Sequence, residues 1–396
     1  MSSPQAGPVN LTIVWGCYQG GVETALYYRL KYMNHAGVRS HCYFYYPGMG
    51  LAAFSAIPHM VSFRTEDLAA YVKKHRFETV TFVNTLINLD VLRQSGCKLW
   101  AIYEMHGYGE WIVHELQRIN EREDGGMIRG IVVPAESVAA WAKTRLDKRP
   151  DIEFYVATNT IDTLEFRFTD ETESFLKHYS LGADWSSAPL LGWVGRLDAN
   201  KNWSLLLDIF RLARRKKPEL KLLAASDLTT SPELHLFYAK AAKYGLIEHI
   251  RILPNVPHAM MPLYYSQIAK SGGVLLSTSL SEGYPYHLLE AQACECPVVS
   301  SDNQGSKELV EHGGTGLMFP LDDPRKGAEA VLALADAPDV RNRIVQQARQ
   351  KVFVANDIHL NVSAYIAWLQ RMSLAVRQTG LPARKEGNVH VQTGGA

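Results

Sequence analysis

The stretch 273–293 constrains this chain most. An apolar run, Gly273-Val-Leu-Leu276, breaks into small polar residues, then Glu282-Gly283, then Pro285, and a helical pattern follows through Ala293. That order predicts a buried parallel strand, a glycine-containing loop at its carboxyl end, and a helix N-terminus facing the same crevice. Open α/β sheets bind ligands in such crevices, because free backbone N–H groups and the helix dipole converge on an anion there. Two carboxylates flank the helix start, Glu282 in the loop and Glu290 about a turn into the helix. Their spacing lets both reach one hydroxyl-rich molecule. A sugar nucleotide suits the arrangement: its diphosphate takes the N–H groups, Glu290 accepts from ribose hydroxyls, and Glu282 lies near the hexose. The competing expectation is that Glu290 is an exposed first-turn acid favoured by the dipole.

Glu282-Gly-Tyr-Pro-Tyr-His-Leu-Leu-Glu290-Ala-Gln-Ala-Cys294, followed by Pro297-Val-Val-Ser-Ser-Asp302, resembles the Glu-x7-Glu signature of retaining GT-B glycosyltransferases of family 4, the glycosyl transferases group 1. In that family the second Glu holds the donor ribose and the first lies near the transferred sugar. The loop after the first Glu binds phosphates and sugar through backbone N–H groups. The resemblance places these roles on Glu290, Glu282, Gly283, Tyr284 and Pro285, of which Pro285 offers only shape and its carbonyl. The family usually has Gly after the Cys, whereas this chain has Glu295. A non-Gly residue is strained there if the backbone needs positive φ.

Earlier in the chain, Leu11-Thr-Ile-Val-Trp15 runs into Gly16, Gly20 and Gly21 and then an amphipathic helix over 22–35. Strand, glycine turn and helix again make an anion-binding arrangement, although two adjacent glycines by themselves mark a tight turn as readily. The resemblance places Gly20-Gly21 opposite the donor phosphates across an interdomain cleft. Further strands are expected at 41–46, 79–83, 99–103, 130–134 and 153–157, with a helix at 136–146. Glu104-Met-His106-Gly-Tyr-Gly109 follows the third of these. A His at a strand's carboxyl end, followed by glycines, faces a cleft or is satisfied by backbone in a turn. The family has a His in this loop, often beside an acid, near the transferred sugar. His106 matches it, with Glu104 standing two residues before rather than immediately after, and Glu110 is a further acid of the same loop. Asn159-Thr-Ile-Asp162 resembles the run that closes the first domain in the family, with Thr160 in place of Gly.

Between 169 and 189 periodicity is lost, which predicts the hinge. A fresh strand opens at Leu190-Leu-Gly-Trp-Val194, followed by Gly195-Arg196-Leu-Asp-Ala-Asn-Lys201 and a helix from Trp203. Arg196 and Lys201 lie in the loop entering that helix, so both can point at a phosphate. Charge-assisted hydrogen bonds contribute roughly 1.5–3 kcal/mol each, and the segment resembles the family's donor-phosphate clamp. No Asp-x-Asp is present, so the reading is a metal-independent transfer in which cations replace Mg²⁺, with no metal ligands and no cofactor. The basic cluster 211–221 reads as a solvated helix end rather than a lipid or nucleic-acid patch.

Composition closes off other classes. At 396 residues the chain holds two domains with separate cores. A net charge of +1 gives no field for nucleic acid. Five scattered cysteines lack zinc-site spacing and fit a reducing cytoplasm. No basic-then-apolar leader is present and no apolar run approaches the ~20 residues of a spanning helix, which leaves peripheral membrane contact open.

The fold expected is α/β, GT-B: two doubly wound Rossmann-like domains facing across a cleft. Residues 1–180 form the acceptor-side domain and 181–355 the nucleotide-sugar domain. A terminal helix at 356–377 crosses back to the first domain, and a mobile tail occupies 378–396. The expected activity is a cytoplasmic retaining hexosyltransferase using a UDP- or GDP-linked sugar and an unknown acceptor, with Arg196 and Lys201 on the diphosphate and His106 and Glu282 on the hexose. A GT-B sugar-nucleotide epimerase, or a non-catalytic sugar-nucleotide-binding protein, is the alternative. Oligomeric state is not legible.

Overall fold

The computed structural model describes residues 9–18 and 20–379; from residue 380 onward the expected tail lies outside the described residues. Among the described residues thirteen strands are divided between two sheets. The first contains β1 (Val9–Gly16), β2 (Arg39–Tyr46), β3 (His59–Val61), β4 (Thr79–Val83), β5 (Trp100–Glu104), β6 (Ile128–Val133) and β7 (Glu153–Val156). The second contains β8 (Leu190–Val194), β9 (Lys221–Ser226), β10 (Ile250–Pro254), β11 (Val274–Ser277), β12 (Val298–Ser301) and β13 (Leu317–Phe319). Neighbouring strands pair in parallel throughout. The central strands β4, β5, β11 and β12 are buried along their whole length. Helices cover both sheet faces, so apolar residues predominate in these strands, and the buried hydroxyls of Thr79, Thr81, Ser300 and Ser301 find hydrogen-bond partners inside.

The order in the first sheet is β3-β2-β1-β4-β5-β6-β7 and in the second β10-β9-β8-β11-β12-β13. In each, the winding direction reverses once, between β1 and β4 and between β8 and β11. At such a reversal adjacent loops leave in opposite directions and open a crevice at the carboxyl edge. The loop holding Gly20 and Gly21 follows β1, and the His106 loop follows β5, one strand beyond β4. The loop 195–202 follows β8, and the loop 278–285 follows β11.

Two regions differ from expectation. The stretch 169–189 carries helices Glu173–His178 and Ala183–Ser186. Phe175 and Trp185 are buried there, and Lys221 and Arg251 sit over the Trp185 ring at 4.7 and 5.5 Å. Single anchoring aromatics give no periodic signal, so the sequence reads as a plain linker. Strand β3 is too short, at three residues, to show alternation. The last helix, Ile358–Thr379, packs on the helix Gly21–His35 and against β4 and β5. Its Tyr365 and Trp368 rings lie 5.4 and 5.2 Å from the Tyr155 ring of β7.

Candidate functional site

The two loops at the carboxyl edge of the second sheet are stitched together. Leu280 N–H donates to the Asn200 carbonyl at 2.8 Å, and Thr278 Oγ1 donates to the Lys201 carbonyl at 2.8 Å. That brings Lys201 Nζ to 2.5 Å from Glu282 Oε1. Burial opposes ionisation of Glu282, but the Lys201 ammonium overrides it, so the carboxyl titrates below its usual range. Arg196 is half exposed and pairs within its own loop, Nε to Asp198 Oδ2 at 2.8 Å. The same Asp198 accepts from Lys201 N–H at 2.9 Å through Oδ1. The loop therefore holds one cation against Glu282 and leaves the other partly open to water.

Glu290 sits inside the helix Tyr286–Ala293, every residue of which is buried. The exposed first-turn acid is excluded. Tyr265 O–H donates to Glu290 Oε2 at 2.7 Å, and His258 Nε2 lies 3.1 Å from Oε1. Burial disfavours a charged His258, yet the hydrogen bond and charge of Glu290 win and raise its pKa. Tyr265 comes from the helix Met261–Lys270 and His258 from the turn His258–Met260 that leads into it. Glu282 and Glu290 thus share one loop-helix turn but have separate partners.

Across the cleft, β5 delivers Glu104 and then His106. Glu104 is buried and accepts both of its hydrogen bonds to Arg29 from Nη1, at 2.7 and 2.9 Å. His106 Nε2 lies 2.8 Å from Glu104 Oε1, and its backbone N–H donates to Asn84 Oδ1 at 2.9 Å. Burial alone would raise the Glu104 pKa; Arg29 and His106 reverse that and bring it down to about 2. Glu104 therefore orients His106 rather than facing the cleft. Glu110 opens the helix Glu110–Asn120 and is exposed.

The two halves meet at these loops. A Cβ on Gly283 would lie 3.1 Å from the His106 carbonyl oxygen, so a glycine lets the loops close to contact. On its other side the Glu282 carbonyl oxygen stands 2.1 Å from where a Cβ on Gly305 would be, so no other residue fits at Gly305. Asn159 Nδ2 donates to the Tyr284 carbonyl at 2.7 Å, and Tyr286 O–H donates to the Thr160 carbonyl at 2.9 Å. Pro285 is the residue that caps the helix start, and Gly21 faces the Tyr286 ring, which a Cβ there would meet at 3.7 Å. The structure thus brings Gly21, His106, Lys201, Glu282, Gly283, Tyr284, Pro285 and Glu290 to one interdomain region, with Gly20 adjoining Gly21.

Three residues absent from the sequence-based set belong to this region. Glu23, in the first turn after the glycines, is raised in pKa by burial, while the charges of His106 and Arg196 act in the opposite sense. Arg29 and His258 anchor Glu104 and Glu290. For Arg29 a signal existed, a cation on the apolar stripe that Ala25, Leu26 and Met33 define. Glu295 has φ of 57°, the left-handed conformation that favours Gly, and pairs with Arg349 at 2.5 Å. Among the described residues no group of three or more His, Cys, Asp or Glu side chains gathers as a metal site, and no helix is long and apolar enough to cross a membrane.

Residues 186–351 match the family model for glycosyl transferases group 1. A putative glycosyltransferase, EpsD of Bacillus subtilis (strain 168), is 24% identical over 161 residues, 41% of this chain and 40% of that protein. The alpha-D-kanosaminyltransferase of Streptomyces kanamyceticus is 26% identical over 160 residues, 40% of each chain. The chain thus spans well under two thirds of the length of either relative, 40% in both cases. HepE of Anabaena, solved in complex with UDP and glucose, superposes with a TM-score of 0.77 at 15% identity, over 92% of this chain and all of that one. Sucrose-phosphate synthase of Thermosynechococcus elongatus superposes with a TM-score of 0.75 at 16% identity, over 93% of this chain and 100% of that one. The fold is GT-B: two Rossmann-like parallel-sheet domains facing across a cleft.

Proposed function

We propose that this chain is a retaining, metal-independent glycosyltransferase that moves a hexose from a nucleoside-diphosphate sugar to an acceptor hydroxyl. The observation that carries the reading is the Lys201–Glu282 pair, 2.5 Å apart, in a loop that lies against the His106 loop of the other half. A cation able to leave a carboxylate for a phosphate stands beside a carboxylate and an imidazole that can hold sugar hydroxyls. The solved neighbour HepE, found with UDP and glucose, supports a donor of this type. Residues 181–355 supply the donor side and 1–180 the acceptor side.

In the reaction the acceptor hydroxyl oxygen attacks C1 as the bond from C1 to the diphosphate oxygen breaks. The bonding electrons leave on the diphosphate, which takes up the hydroxyl proton on the same face. Lys201, Arg196 and the N–H groups of the loop around Gly283 stabilise that growing negative charge, so they act more strongly in the transition state than in the ground state. Glu290 takes the ribose, Glu282 and His106 the hexose, and the Gly20-Gly21 turn closes over the phosphates.

Thermal shifts with UDP, GDP, ADP and dTDP identify the base, since a ligand at 100 times its Kd adds ~2.7 kcal/mol. Acceptor-dependent release of that diphosphate from its sugar conjugate then tests the transfer. Interconversion of the nucleotide sugar without acceptor would reassign the protein as an epimerase, and binding without turnover as a sugar-nucleotide-binding protein.

A further inference from the structure

The carboxyl edge of the first sheet carries a group of exposed aromatic side chains that the donor site does not use. Parallel register sets Gly16 of β1 beside Tyr46 of β2, and Phe44 of β2 beside Val61 of β3. The ends of these three strands therefore bring Trp15, Tyr46 and Phe63 together. Trp15 and Tyr46 ring centroids are 5.1 Å apart, and Tyr46 and Phe63 are near-parallel, 10° between planes, at 6.4 Å. They are 44%, 42% and 69% exposed. Tyr18 and Met49, also exposed, adjoin them: Cys17 N–H donates to the Tyr46 carbonyl at 3.3 Å, and Gly50 N–H donates to the Cys17 carbonyl at 3.0 Å. A sheet edge that exposes this much ring surface marks a binding face.

Its position and its charge say what it binds. Two residues beyond Tyr18, the chain enters the Gly20-Gly21 turn, which faces the donor half at Tyr286, so a molecule on the rings reaches into the same cleft. The loops at this edge, residues 17–20, 47–58, 62–64, 84–88 and 105–109, contain no Asp, Glu or Lys, and Arg64 and His106 are their only basic residues. Arg64 lies 3.8 and 3.9 Å from Glu66 and Asp67, so the acids beside Phe63 outnumber its one cation. Among the described residues this rim carries no net positive charge to draw an anionic membrane or a phosphorylated molecule. Rigid rings that lose little entropy on binding, in a surround without net positive charge and with the Glu23 carboxyl at the glycine turn, suit the C–H faces and hydroxyls of an uncharged sugar.

We propose that Trp15, Tyr46 and Phe63 form the acceptor platform and that the acceptor is a neutral saccharide of more than one ring, stacked on these faces with its reacting hydroxyl at the glycine turn. This rests on the transferase reading for the direction of transfer, but the platform is measurable without a donor. Calorimetric titration of the protein with neutral homo-oligosaccharides of glucose, galactose, mannose and N-acetylglucosamine should find one series that binds. Phe63→Ala should weaken that binding about tenfold at an unchanged thermal midpoint, since its ring is mostly in solvent. Trp15→Ala should do the same and remove the tryptophan fluorescence change that binding causes. Binding of none of the series, or binding indifferent to Phe63→Ala, overturns the proposal. So does sedimentation with phosphatidylcholine–phosphatidylglycerol vesicles that Phe63→Ala abolishes, which would make the patch a membrane contact. Nucleoside-diphosphate binding by the wild-type protein is measured separately. Its absence defeats the donor reading and leaves the saccharide result standing on its own.

Discussion

Two carboxylate–cation pairs face each other across the cleft, and they are built differently. Glu104 and Arg29 join β5 to the helix Gly21–His35 with side chains 1% and 10% exposed, and Tyr365 of the last helix lies 4.7 Å from the Arg29 guanidinium carbon. Glu282 and Lys201 join two loops, and their side chains are 14% and 18% exposed. A sealed pair cannot exchange partners, because either charge left alone inside the protein is costly. The less sealed pair between loops is the one we propose exchanges, since an incoming phosphate replaces what Lys201 gives up. The first pair is therefore scaffold, fixing His106 through Glu104, and the second is the working contact of the proposed transfer.

The largest effect should come from breaking the sealed pair. Glu104→Ala strands Arg29 and should cost about 3–5 kcal/mol in denaturant unfolding; a cost under about 1 kcal/mol would mean that the pair is not sealed. Lys201→Ala should divide the groups the other way. Loss of one charge-assisted contact of about 1.5–3 kcal/mol lowers transfer roughly 10- to 100-fold, while unfolding shifts by less than in Glu104→Ala, because Lys201 and Glu282 keep some contact with water. Arg196→Ala should also lower transfer, and wild-type turnover in either variant would reduce that residue to a surface charge. Glu282→Ala should mainly slow turnover, whereas Glu290→Ala should weaken nucleotide binding in a titration. Unchanged rate and binding in both variants would remove the site.

Titration sharpens the contrast at a smaller scale. The Glu104 pKa falls from the usual carboxylate range near 4.5 to about 2 on folding. Its contribution to stability is present above the unfolded value and is lost as pH falls through the folded one. Glu104→Gln should flatten the acid limb of the stability profile between those limits. His258 behaves oppositely: its pKa is raised above 6.5, so its contribution is present below 6.5 and fades as pH rises through the raised value. Glu290→Gln should abolish that alkaline slope, and a slope that survives would show that Glu290 is not its source. Smallest of all, Glu295→Gly removes a left-handed non-glycine residue, worth about 1–2 kcal/mol, and gives up the half-exposed Arg349 pair, worth up to about 1 kcal/mol. A modest gain in midpoint is expected, and a loss would show that the pair outweighs the strain.

Much of this was legible beforehand. Strands β5 and β11 announced themselves as apolar runs, because burial on both faces favours apolar side chains. The glycine turns and Glu282 to Glu290 announced the loop-helix start. What stayed hidden was partnership. Lys201 and Glu282 are 81 residues apart, and Arg29 and Glu104 are 75 apart, and no local pattern links such distances. Arg29 stands on the apolar stripe of its helix, but nothing local says that its partner is Glu104 or that His258 meets Glu290. Phe63, Trp15 and Tyr46 lie in three separate strand ends, each an ordinary aromatic in isolation.

The sequence by itself determined the alternation of strand and helix, the position of each glycine turn, and which residue types stand at strand ends, since these depend on neighbours a few positions away. Only the tertiary structure decided which carboxylate pairs with which cation and how deeply each pair is buried, and that aromatic rings gather at the first sheet's edge. Both depend on desolvation and on the register of parallel strands, which bring residues far apart in the chain to within hydrogen-bond or ring-contact distance and fix how much water reaches them.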